Sequence, residues 1–199
     1  MTGGVLRMPV AVPDDGEDEL CEPRAASIID DGSGRAARLL SDVVRGLREA
    51  GCRVRGLVMT RPCGGADCAS EMVLVDVETR DEYPVSQSLG PHSQACRADP
   101  HGFARASVAL RHALHDDPAL LVVNRFGMLE AEGQGFRAEF LEILSHDVPL
   151  LTVVAARHVD AWQQFTGAAT VLPADAQAVR EWLARTVSGA CALTALGDE

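Results

Sequence analysis

The chain contains no lysine, since all eighteen of its basic residues are arginine. That excludes one piece of chemistry in cis: a glycine-rich phosphate loop whose lysine reaches the β- and γ-phosphates of a nucleotide. Away from such a loop, the absence reads as a GC-rich coding bias rather than a functional demand. Aromatic residues are scarce at 4%, so a core drawn from the 47% hydrophobic residues must be mostly Leu, Val and Ala. Positive charge is also short. Eighteen Arg face twenty-nine Asp and Glu, for a formal charge of -11, and nucleic acid and anionic membrane surfaces are therefore poor partners. No apolar run approaches the ~20 residues that span a bilayer. The first residues lack the basic-then-apolar order of a signal peptide, so the expected location is the cytoplasm. Cys21, Cys52, Cys63, Cys68, Cys96 and Cys191 are accordingly expected to be mostly reduced, as core residues, metal ligands or redox thiols rather than staples.

What is present has the length for one domain with one sizeable core. Residues 1–24, with three prolines and a block of acids, read as a disordered leader. Order is expected from an apolar strand at 25–29. A glycine turn follows, then a helix over 36–51, whose apolar residues Ala36, Leu39, Leu40, Val43, Val44 and Leu47 keep the helical period. With a strand at 54–59 this makes a βαβ unit, and hence a parallel sheet in an α/β domain spanning 25–187. Residues 60–102 change texture, being rich in Gly, Pro, Cys and Ser, and read as an insertion over the end of the sheet. Within it, 72–77 and 83–89 are expected to pair as an antiparallel hairpin. Helices are expected at 103–115, 135–145, 158–166 and 174–187, and strands at 119–124, 148–155 and 169–172. Residues 188–199 read as a loose tail.

Three constellations carry candidate chemistry. Gly32, Ser33 and Gly34 form a turn between strand and helix, where backbone N–H groups and the helix dipole can hold an anion. Arg35 stands where a full phosphate loop has lysine, and Ala36 where it has the hydroxyl that ligates Mg²⁺. A plain tight turn accounts for the same residues, and Asp30 and Asp31 make a polyphosphate less welcome. The second constellation is the strand end Asn124-Arg125-Phe126-Gly127-Met128-Leu129-Glu130, with Glu132 beyond. Chemistry in α/β proteins collects at the carboxyl ends of strands. Nucleotide hydrolases carry a metal-holding Asp there and a following acid that orients water. Asn124 brings no charge to a cation, and Glu130 and Glu132 read equally as helix-start acids favoured by the macrodipole. The third is Cys63 and Cys68 in a glycine loop, with His92 and Cys96, which could hold Zn²⁺ or an iron–sulfur centre or be plain thiols. Around it Gln87, Ser88, His92, Ser93, Gln94, Arg97 and Asp99 form a dense polar loop that suits oxyanion recognition and equally an ordinary surface loop. His112, His115, His146 and His158 are scattered and read as non-catalytic.

The segment 120–137, with Gln87-Ser-Leu-Gly90 and Ala95-Cys96-Arg97-Ala-Asp99-Pro100, resembles the bacterial domain-of-unknown-function family 2478, over about residues 25–185. That family resembles small P-loop nucleoside-triphosphatases of the THEP type, in which a strand ends in Asp-Glu-Ile-Gly-Lys-Met-Glu. Against that segment, Glu130 matches the last acid, while Asn124 and Arg125 replace the catalytic pair. The resemblance implies a three-layer α/β fold of P-loop type, a mostly parallel sheet with the Cys/Gly-rich insertion. Members stand beside, or within, molybdate transport ATPases, which implies a molybdenum or tungsten context. The expected function is binding of a nucleotide phosphate or a tetrahedral oxyanion, molybdate or tungstate included, with little or no hydrolysis. Gly32, Ser33, Gly34 and Arg35 would form the cradle, Arg97 and Arg125 would close over it, and Asn124 and Glu130 would orient a polar group or water. Two alternatives stand beside it. One is a nucleoside-triphosphatase in which Glu130 activates water and a partner chain supplies the missing cation. The other is a metal or iron–sulfur protein built on Cys63, Cys68, Cys96 and His92. A molybdate-transport protein is an expected partner.

Overall fold

A computed structural model describes residues 24–60, 72–88, 96–167 and 169–187. Nine strands and six α-helices follow one another there: β1 (Ala25–Asp30), α1 (Arg35–Glu49), β2 (Val54–Met59), β3 (Val73–Asp76), β4 (Glu82–Pro84), β5 (Ser86–Ser88), β6 (Cys96–Ala98), α2 (Pro100–His115), β7 (Leu120–Phe126), α3 (Met128–Ala131), α4 (Arg137–Ser145), β8 (Leu150–Ala155), α5 (Val159–Thr166), β9 (Thr170–Leu172) and α6 (Ala176–Thr186). Seven strands form one sheet in the order β4-β3-β2-β7-β8-β1-β9. The pairs among β2, β7, β8, β1 and β9 are parallel, and β3 and β4 add an antiparallel edge. No helix among the described residues is long and apolar enough to cross a membrane.

The near-continuous apolar runs of β7 and β8 follow from burial on both faces. Successive residues alternate between two cores. Leu120, Val122, Leu151 and Val153 pack with α1 and α6, through Leu40, Val43, Leu47, Trp182 and Leu183. Leu121, Val123, Leu150 and Val154 pack with α2, α4 and α5, through Leu110, Phe140, Ile143 and Trp162. The result is three layers around a mostly parallel sheet. Few as they are, the aromatics are concentrated on the second side, where Phe126, Phe140, Trp162 and Phe165 meet with ring centroids 5.2–6.4 Å apart.

Several boundaries move for local reasons. Helix α2 starts at Pro100 rather than at 103, because Asp99 accepts a hydrogen bond from the His101 N–H (3.1 Å) and proline suits the first helical position. The expected strand at 83–89 is two. Glu82–Pro84 pairs with β3 at the sheet edge, where a proline is tolerated, and Ser86–Ser88 pairs with β6. The helix expected at 135–145 is α4 preceded by the separate turn α3. Strand β7 continues two residues beyond 124, with an irregularity against β8 between Val123 and Phe126. Cys52 is buried and disulfide-bonded, so this one cysteine is a staple.

Candidate functional site

The turn between β1 and α1 spans four residues, two of them glycine with positive φ, at +87° for Gly32 and +73° for Gly34. Gly34 has a second reason to lack a side chain. A Cβ there would stand 3.2 Å from Nη1 of Arg38, which lies over the turn and donates from Nη2 to the Ser33 carbonyl (3.3 Å). The turn holds itself in shape. The Gly32 N–H donates to Asp30 Oδ1 (3.1 Å), the Ser33 N–H to Asp31 Oδ1 (2.9 Å) and the Arg35 N–H to Ser33 Oγ (3.2 Å). The Asp31 carboxyl is held below its ordinary range by hydrogen bonds from Ser33, side chain before backbone, helped by the charge of Arg35.

Because β8 lies between β1 and β7, the carboxyl ends of these three strands open on one cleft of about 510 Å³. The β1–α1 turn, Ala155 and Ala156 line it together with the side chains of Asp30, Arg38, Arg125 and Arg157. Arg125 reaches from β7 to Asp30 Oδ2 and forms an ion pair with a carboxylate whose side chain is 7% exposed. Three arginines and two aspartates therefore line one cleft beside the start of α1, with the Arg157 Nε donating to His158 Nε2 (3.2 Å). Such an arrangement can hold an anion of limited charge, since guanidinium matches the oxygen edges of tetrahedral anions.

The expected site residues separate into two groups. Gly32, Ser33, Gly34 and Arg125 come together at the cleft. Arg35 is exposed at the first helical position and is not among the residues lining it; the cation over the turn is Arg38, one helical turn later. Asn124 is half-buried, and its Oδ1 accepts the Met59 N–H (3.1 Å), tying β7 to the end of β2. Glu130 is buried, with Oε2 accepting the Gly127 N–H (2.9 Å) and Oε1 the Phe136 N–H (3.1 Å). A carboxylate engaged by two amides in this way holds a loop. Cys96 and Arg97 lie in β6, opposite Ser88 and Gln87, with side chains outside the described residues. Cys63, Cys68 and His92 also lie outside them, and no group of three or more His, Cys, Asp or Glu suited to a metal occurs among the described residues.

Sequence reasoning missed Arg38 and Arg157. The second had a signal, since it follows the end of an apolar strand, but only the strand order puts that end beside β1.

Two solved structures share this fold. The solution structure of a human cancer-related nucleoside triphosphatase matches at a TM-score of 0.54 and 19% identity, over 75% of this chain and 86% of that one. The crystal structure of THEP1 from the hyperthermophile Aquifex aeolicus matches at 0.50 and 14%, over 77% and 89%. In sequence the chain is 34% identical over 171 residues to the molybdenum import ATP-binding protein ModC 2 of Bradyrhizobium diazoefficiens, which is 85% of this chain but 19% of that protein's length. The profile of the family described as "Protein of unknown function (DUF2478)" matches residues 25–182, and the chain belongs to that family.

Proposed function

We propose that the cleft between β1, β7 and β8 binds a nucleotide phosphate or a tetrahedral oxyanion, with little or no hydrolysis. The observation that carries this reading is that Arg38, Arg125 and Arg157 line one cleft with the β1–α1 turn, at the carboxyl ends of three parallel strands. The fold is that of P-loop nucleoside-triphosphatases, and a relative bears the words molybdenum import and ATP-binding in its name. Both point to anions, organic or inorganic, and a molybdate-transport protein is the partner to test first.

Hydrolysis is disfavoured at three places. The chain has no lysine for the transferring phosphate. The Mg²⁺ that the fold implies does not fit the side chains at hand: Ala36 stands where a hydroxyl ligand belongs, Asp30 is taken by Arg125 and Gly32, and the Asn124 oxygen is taken by Met59. Glu130 is turned into the fold and held there by two amides.

Thermal unfolding with and without ATP, GTP, molybdate, tungstate and sulfate tests the reading. A ligand that binds only the folded state, at ~100 times its dissociation constant, adds about 2.7 kcal/mol. At least one of these anions is expected to raise the melting temperature, and Arg157→Ala is expected to remove most of that shift. An unshifted melt with all five, or a shift that survives Arg157→Ala together with Arg38→Ala, overturns the assignment of this cleft.

A further inference from the structure

Three of the donors that would greet an incoming anion already have anionic partners from the chain itself. Asp30 is placed to occupy two of them at once, with Oδ1 on the Gly32 N–H and Oδ2 on the Arg125 guanidinium, and Asp31 holds the Ser33 N–H. We infer that Asp30 and Asp31 determine specificity in this cleft: they admit a compact tetrahedral dianion, bound without a metal ion by exchange of Arg125 from Asp30 to the ligand, and reject nucleoside polyphosphates. This rests on the anion-binding reading above and narrows it.

Charge decides between the two ligands. Arg38, Arg125 and Arg157 bring three positive charges to the cleft, against two negative ones from Asp30 and Asp31. A dianion takes that set from one net positive charge to one net negative charge. A nucleoside triphosphate carries about four negative charges, and phosphate loops neutralise them with a lysine and Mg²⁺, neither of which these residues provide. The polyphosphate would therefore meet two carboxylates with its charge uncompensated. A dianion needs only two cations: Arg157 and Arg38 stand at the cleft wall, and Arg125 has one carboxylate to leave. Asp30 then keeps its bond to Gly32, so the turn survives the exchange.

The test is calorimetric titration of the full chain with molybdate, tungstate, sulfate, inorganic phosphate, and ATP with and without Mg²⁺. Asp30→Asn is the informative variant, because the amide oxygen can still accept the Gly32 N–H while its NH₂ has no lone pair for Arg125. Removing a unit charge about 6 Å from a ligand, at an effective dielectric of about 40, is worth about tenfold in affinity per unit of ligand charge, hence about a hundredfold for a dianion. The wild type is expected to bind at least one tetrahedral dianion and to bind ATP at least tenfold more weakly. Asp30→Asn is expected to tighten dianion binding by up to about a hundredfold and to narrow the gap to ATP, whose larger charge gains more. Asp31→Asn, at an exposed position that should not threaten folding, is expected to shift affinity the same way by a smaller factor. The spread across the four inorganic anions identifies whether oxometalate, sulfate or phosphate is the preferred source of this chemistry. Wild-type dianion binding that is unchanged or weakened in Asp30→Asn overturns the exchange, as does the same result in Asp31→Asn should the first variant not fold. Wild-type ATP binding tighter than that of any dianion overturns the selectivity while leaving the cleft an anion site. Absence of binding by every anion to every form removes the underlying reading, and this inference with it.

Discussion

Replacing Glu130 with glutamine separates two roles for one carboxylate. In the structure its two oxygens accept the amides of Gly127 and Phe136, at 2.9 and 3.1 Å, inside a buried corner between β7 and α4. Glutamine keeps one acceptor oxygen, so one amide stays satisfied. The other then faces an NH₂ group and loses a charge-assisted bond, a change worth about 1.5–3 kcal/mol. With about 2–4 °C per kcal/mol for a domain of this size, the melting temperature should fall by roughly 3–12 °C. Urea denaturation, with the slope unchanged between the two proteins, gives the free energy directly. Gly135→Ala serves as an independent probe, because a Cβ there would lie 2.1 Å from Oε1 of Glu130 on a backbone with φ of +58°. It should destabilise at least as much, by pushing the same carboxylate off its amides. If Glu130→Gln is as stable as the wild type within about 0.5 kcal/mol and instead abolishes a measurable phosphate release, the carboxylate is a catalytic group and the structural role assigned to it is wrong.

Two further outcomes follow from the packing on the α2 side of the sheet. Phe126→Ala removes the strand-end ring that meets Phe140, Trp162 and Phe165, and should cost about 3–5 kcal/mol by chemical denaturation; a loss under 1 kcal/mol would mean that the neighbouring rings close the gap. Glu139 is buried, which alone would raise its pKa, but hydrogen bonds from Ser107 and then Arg111 outweigh burial and lower it. Its folded value lies below the unfolded one, so its stabilisation is present above the ordinary carboxylate range and is lost as the pH falls through the folded value. Ser107→Ala should therefore cost about 1.5–3 kcal/mol at pH 7 and distinctly less below pH ~4, and a cost independent of pH contradicts the pairing.

The helix after the glycine turn was readable because its periodicity reports burial directly: Ala36, Leu39, Leu40, Val43, Val44 and Leu47 are the residues that α1 buries. The buried strands were readable for the same reason, as apolar runs bounded by turn residues. The cleft was only half readable. Its turn is a local pattern, but its cations depend on which strands are neighbours. Arg125 pairs with a carboxylate 95 positions away, and Arg157 enters only because β8 stands between β1 and β7. The role of Asn124 was hidden likewise, since its partner is a backbone amide 65 positions earlier. Glu130 was closer to legible. Three residues after a glycine at a helix start, it is placed to return to the first free amide, as the helix-start reading of the acids half anticipated.

The proposed reading, binding without hydrolysis, rests on these contacts, because a fold and the activity of its neighbours need not travel together. A side chain that hydrolyses a phosphoanhydride must be free to meet water or metal at the moment of reaction, and one that satisfies a buried amide is not free without leaving that amide unpaired, at about 1–3 kcal/mol. Asn124, Glu130 and Asp30 stand at three positions where reactive groups would be sought, and each is bound into the backbone or to Arg125. The turn, the helix dipole and the arginines remain, and in the function proposed above they are the parts that bind. Restoring a lysine at position 35 alone would therefore leave the water-orienting and metal-holding positions still committed to structure, so a hydrolase built on this scaffold would have to re-satisfy those amides before it could use the side chains that now serve them.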